Sequence, residues 1–82
     1  MINSNWNIQD IISNLEALKS YYNNSLASFS YFDKPSLLRF KKQFKQNIYS
    51  LKIQSWQKDK VWQFLNDDEP IIYLKEFLKS HR

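Results

Sequence analysis

The 82-residue chain has no cysteine, no glycine and no threonine, and it carries one histidine and two prolines. Without cysteine there is no disulfide frame, no thiolate metal site and no thiol nucleophile. Without glycine there is no phosphate-cradling loop and no glycine-rich nucleotide turn. Tight primed hairpin turns lose their usual residue too, although Asn can stand in. The single histidine, His81, lies beside the C-terminus, where chains fray and an oriented base is hard to hold. The ten serines therefore have no evident base to activate them. These gaps leave no catalytic signature, so the chain reads as a non-enzyme for which no small-molecule substrate and no cofactor are expected.

Long apolar runs are missing as well. No stretch approaches the roughly 20 residues of a membrane span, and the start lacks the charged and apolar regions of a signal peptide. No membrane insertion and a cytoplasmic location are expected. Acids cluster only at Asp67-Asp68-Glu69. Consecutive carboxylates do not provide the spaced ligands of a calcium loop, whereas acids before a helix suit its positive end. No metal site is expected.

What is present is aromatic and basic. Fourteen aromatic residues, three of them Trp, give a small chain bulky groups with which to build a core. At this length one domain, residues 1–82, buries roughly 60–65% of its unfolded surface and leaves no room for a second core. Lysine outnumbers arginine ten to two, a skew that AT-rich codon usage produces without selection for a basic surface. The distribution of charge is more telling than its total of +4. Residues 1–33 carry one Lys against three acids, and residues 61–82 carry three bases against four acids. Residues 34–60 carry eight bases against Asp59 alone.

Apolar spacing predicts helices. Ile8, Ile11, Ile12, Leu15, Leu18, Tyr22, Leu26 and Phe29 share one helical face about 120° wide. Asn7 is the expected N-cap, Trp6 and Ile11 sit at staple positions, and Asp10 favours the helix start. Lys19 projects within the apolar face, tolerable if its ammonium reaches water. The helix is expected to stop near Tyr21–Ser25, or to run toward Phe29. Asp33 is the next expected cap, with Pro35 in the first turn and Phe32 and Leu37 as a second staple. Leu37, Phe40, Phe44, Ile48 and Leu51 follow as a stripe. Continued helix would bury Ser55, Lys58 and Asp59, so a turn is placed at residues 54–59. A short helix with Val61, Trp62, Phe64 and Leu65 comes next. A last helix opens at Pro70, buries Ile71, Leu74, Phe77 and Leu78, and has Lys79 and Arg82 near its C-terminal end.

The expected fold is all-α, a small three- to four-helix bundle. The alternative is α+β, with a short hairpin pairing residues 29–32 with 47–54, because Tyr49, Leu51 and Ile53 alternate with polar residues.

Function is then sought in the basic block. Lys41, Lys45 and Lys52 fall within an arc of about 40° on the expected second helix, beside Tyr49. Arg39 and Lys42 point elsewhere and widen the positive field. Lysine stems can simply cover apolar edges of a wet face. Five aromatics lie off the stripes or in turns, namely Tyr21, Tyr31, Tyr49, Trp56 and Tyr73, and such residues favour binding surfaces. The reading is a non-catalytic helical interaction protein, an adaptor, inhibitor or regulatory subunit. It docks on a larger, acidic protein surface through Lys41, Lys45, Lys52, Tyr49, Arg39 and Lys42. The alternative is a module that binds DNA or RNA with the same lysine-rich helix.

Overall fold

The computed structural model describes residues 2–80. Helix α1 spans Ile8–Ala27 and is opened by a reciprocal cap. The Asn7 side chain accepts the Asp10 N–H at 3.0 Å, and the Asp10 carboxylate accepts the Asn7 N–H at 3.0 Å. Two of the donors that a helix start leaves unpaired are thereby satisfied. Trp6 packs partly buried against the core, as its staple position requires. The helix runs through Asn23 and Asn24, both exposed, and stops at Ala27, short of Phe29.

The second helix start departs from its expected form. Helix α2 spans Lys34–Tyr49, yet the Asp33 side chain makes no capping bond. Asp33 has φ −96° and ψ 54°, away from the extended geometry in which a cap side chain meets the first-turn N–H groups. Pro35 also removes one of those donors. Phe32 is 88% exposed, so the staple to Leu37 does not form; its ring stands edge-on to Tyr31 at 5.3 Å.

The stripe of α2 does face the core, with Phe44 and Ile48 buried and Leu37 and Phe40 half-buried. The break in phase comes earlier than residues 54–59. Helix α2 ends at Tyr49, and α3 already spans Ser55–Asn66, so Ser55, Lys58 and Asp59 are helical. Ser50 closes the last turn of α2: its N–H donates to the Gln46 carbonyl at 3.0 Å and its hydroxyl to the Asn47 carbonyl at 2.8 Å. Leu51 is buried in the connection, and Ile53 is half-buried there. The alternation at Tyr49, Leu51 and Ile53 is thus a helix end and a loop, and no strand occurs among the described residues.

Helix α4 spans Ile71–Ser80, with Leu74 and Leu78 buried and Ile71 and Phe77 half-buried. Lys79 lies in its last turn; Arg82 and His81 fall outside the described residues. Helix α3, although short, is the hub, packing on α1, α2 and α4, while α1 also packs on α4. Tyr22 ties three helices together. Its ring lies 5.0 Å from Phe44, 6.0 Å from Phe40 and 5.7 Å from Trp62. Its hydroxyl donates to the Asn66 side-chain oxygen at 2.9 Å, so the buried phenol keeps a partner. Burial pushes the Tyr22 pKa up, and the bond to Asn66 partly offsets that.

Lack of glycine shapes the helix ends. No described residue has a positive φ, so the usual left-handed C-terminal cap is not used. Serine hydroxyls take its place: Ser28 on the Ser25 carbonyl at 2.6 Å, Ser50 on Asn47, and Ser80 on Phe77 at 3.1 Å. Lysines complete two of the ends. Lys58 donates to the Tyr49 carbonyl at 2.9 Å. Lys19 donates to the carbonyls of Phe64, Leu65 and Asp67 at the end of α3.

Candidate functional site

The basic block divides once its lysines are placed. Lys58 caps α2, and the Lys60 ammonium sits 4.7 Å from the Phe77 ring centre. The Lys45 ammonium lies 5.7 Å from the Tyr49 ring centre and 5.9 Å from that of Trp62. These three cations are turned toward the fold, where they cap carbonyls or cover aromatic faces.

The expected row of Lys41, Lys45 and Lys52 does not form a single stripe on α2. Because α2 stops at Tyr49, Lys52 belongs to the following connection. It lines a cleft of about 420 Å³ with Asn7, Ile8, Ile53, Gln54 and Gln57. Tyr49 also departs from expectation, since it is half-buried. Its hydroxyl donates to the Asp59 carboxylate. That hydrogen bond pushes the Tyr49 pKa up, and desolvation and the Asp59 negative charge act in the same direction. With Lys45 over its ring and Asp59 on its hydroxyl, Tyr49 is a structural link between α2 and α3.

A different surface takes shape at the start of α2. Leu38 is 66% exposed. Lys34 precedes it by four residues, and Lys41 and Lys42 follow it by three and four, so all three neighbour it on the helix surface. Lys34 and Lys42 are exposed and Lys41 is half-buried. Arg39 is exposed, with its guanidinium 3.4 Å from the Ser36 hydroxyl. Just before the helix, Tyr31 and Phe32 stand 82% and 88% exposed. The structure thus places Lys41, Lys42 and Arg39 with Leu38 on the N-terminal part of α2, whereas Lys45 lies over the Tyr49 and Trp62 rings, Lys52 lines the cleft and Tyr49 is bonded to Asp59.

Phe32 is the residue that spacing alone misplaces, and Leu38 is one that the α2 stripe passes over. Phe32 occupies a staple position, which disguises it as core. Leu38 follows Leu37, and two adjacent helical residues point about 100° apart, so both cannot face the same core. That doublet was the available signal.

Chemistry elsewhere is sparse. A second cleft of about 370 Å³ is lined by Glu16, Lys19, Ser20, Phe64, Glu69 and Ile71, but the Lys19 ammonium is held by backbone carbonyls. Among the described residues, no group of three or more His, Asp or Glu is placed to hold a metal ion. No described helix is long and apolar enough to cross a membrane. No family model, no curated protein and no solved structure matches this chain.

Proposed function

We propose that this chain is a small non-catalytic interaction protein, an adaptor, inhibitor or regulatory subunit that docks on a larger, acidic protein surface. The docking surface is the corner formed by Tyr31, Phe32 and the first half of α2. One observation carries the reading: Leu38 is 66% exposed at the centre of Lys34, Lys41 and Lys42, on a helix preceded directly by two exposed aromatics. A basic rim around an apolar centre suits a partner whose own rim is acidic, because complementary charge steers the encounter while apolar contact holds it. A reducing compartment such as the cytoplasm suits a chain whose stability owes nothing to disulfides.

The nucleic-acid alternative on the lysine-rich helix loses Tyr49 as a stacking platform, because that ring is covered by Lys45 and its hydroxyl is bonded to Asp59. Affinity capture from the native source, with nuclease treatment, tests the reading. A protein partner should survive nuclease and be lost with Leu38→Asp, while the circular dichroism of the variant stays that of the parent. Recovery only through nucleic acid would refute the proposal, as would capture indifferent to Leu38→Asp.

A further inference from the structure

A second exposed apolar face lies on α4, and its charge is opposite. Ile72 and Tyr73 are 57% and 60% exposed. Glu76 lies three or four residues beyond them on the helix, Glu69 stands just before the helix, and both are exposed. Asp67 and Asp68 are exposed just before. Residues 67–76 carry four acids against Lys75, a net of −3. Residues 31–42 carry Lys34, Arg39, Lys41 and Lys42 against Asp33, a net of +3. Each face has a centre of two or three exposed apolar side chains, and neither covers the other within one molecule.

We propose that the α2 corner of one copy docks on the α4 face of a second copy. This rests on reading the α2 corner as a docking surface, and it adds, beside the larger partner, a second acidic surface that the corner fits. Like charges exclude the symmetric alternatives, since corner on corner would set lysines against lysines and face on face would set carboxylates against carboxylates. The contact is therefore head-to-tail. Each added copy presents a free corner and a free face, so growth continues as an open chain unless the rotation closes a ring. Stable interfaces bury about 800 Å² per partner, roughly a seventh of the 5492 Å² that this chain exposes. Five large apolar side chains cover less than that. The association is consequently weak, charge-steered and sensitive to salt.

Sedimentation equilibrium of the full chain provides the test. At low salt the weight-average mass should rise with concentration above the 10.0 kDa of one chain. The association constant should fall at least about tenfold in high salt, where the Debye length shrinks to a few Å. Leu38→Asp removes the corner, and Ile72→Ser with Tyr73→Ser removes the face; each variant alone should stay monomeric with an unchanged circular dichroism spectrum. Their equimolar mixture retains one live corner and one live face, so it should form a dimer and stop there. A parent chain that stays monomeric near millimolar concentration overturns the proposal, and so does a mixture that fails to pair. If Leu38→Asp nevertheless abolishes nuclease-resistant capture of an acidic partner, self-assembly alone is refuted and the docking corner stands. If capture is indifferent as well, both readings fall.

Discussion

The ammonium of Lys19 on α1 lies 2.6 Å from the carbonyl oxygen of Phe64, near the C-terminal end of α3. It also donates to Leu65 at 3.2 Å and stands 4.9 Å from the Phe64 ring centre. A helix leaves its last carbonyls without partners, and a cation there is favoured by both hydrogen bonding and the helix dipole. Helix α3 is the hub of the bundle, so its end is fixed by a side chain from the helix it packs on.

Removing that ammonium should therefore cost more than removing a surface lysine. Lys19→Met keeps an apolar stem and should destabilise by roughly 1.5–3 kcal/mol, the range for hydrogen bonds to charged groups. Lys42→Met, at an exposed position, should change stability by no more than about 0.5 kcal/mol. Urea denaturation of the two variants checks this; equal midpoints would show that Lys19 contributes only its stem.

Helix phase is tested within α2. Phe44 is buried against Tyr22, and Phe44→Ala should destabilise by roughly 3–5 kcal/mol. Gln46 is exposed two residues on, and Gln46→Ala should shift stability by about 0.5 kcal/mol or less. Tyr22→Phe, which keeps the ring and removes only the hydrogen bond to Asn66, should cost about 1 kcal/mol. Chemical denaturation midpoints in that order, Phe44→Ala lowest, are the expected result.

What the sequence made legible was periodic. The helix faces, the Asn7 cap and the existence of a break after the α2 stripe all follow from spacing and local hydrogen-bonding chemistry. The position of the break did not, because it depends on Ser50 closing the turn onto Gln46 and Asn47 while Leu51 is buried by other helices. Lys19 was visible as a charge on an apolar face, but its partners are some 45 residues away and only packing brings them near. The same reason divides the basic block. Lys45, Lys58 and Lys60 look like their neighbours in sequence, and only the approach of α3 and α4 engages them.

Alkaline pH offers a check on the α2–α3 link. The Tyr49 pKa is raised first by its hydrogen bond to Asp59, so the folded state keeps the phenol proton to higher pH than the unfolded chain. The contribution is fully present below the unfolded value of about 10 and is lost as pH rises through the folded one. In that window the folded state binds more protons, so stability falls with rising pH. Tyr49→Phe has no such proton and should lose less stability across the same interval. Urea midpoints measured for both proteins from about pH 9 upward should converge as the hydroxyl ionises. Parallel curves would show that the bond to Asp59 contributes nothing in solution.

The last prediction separates the lysines of the docking corner from those serving the fold. Lys41 and Lys42 flank Leu38 at helical spacing, whereas Lys52 lines a cleft beside Asn7 and Tyr49 is bonded to Asp59. Binding of the nuclease-resistant partner should therefore fall with Lys41→Gln plus Lys42→Gln, and its salt dependence should become shallower, since rim charges act through long-range steering. Lys52→Gln and Tyr49→Phe should leave binding unchanged. Leu38→Ala should cost more affinity than any single lysine, because an apolar centre enclosed by a polar rim is where truncation is felt most. Titration calorimetry at two salt concentrations distinguishes these effects: a rim change alters the salt slope, and the loss of Leu38 lowers affinity at both. If Lys52 and Tyr49 proved as costly as Leu38, the partner would be seated at the far end of α2, and the corner at Tyr31 and Phe32 would be only its exposed loop.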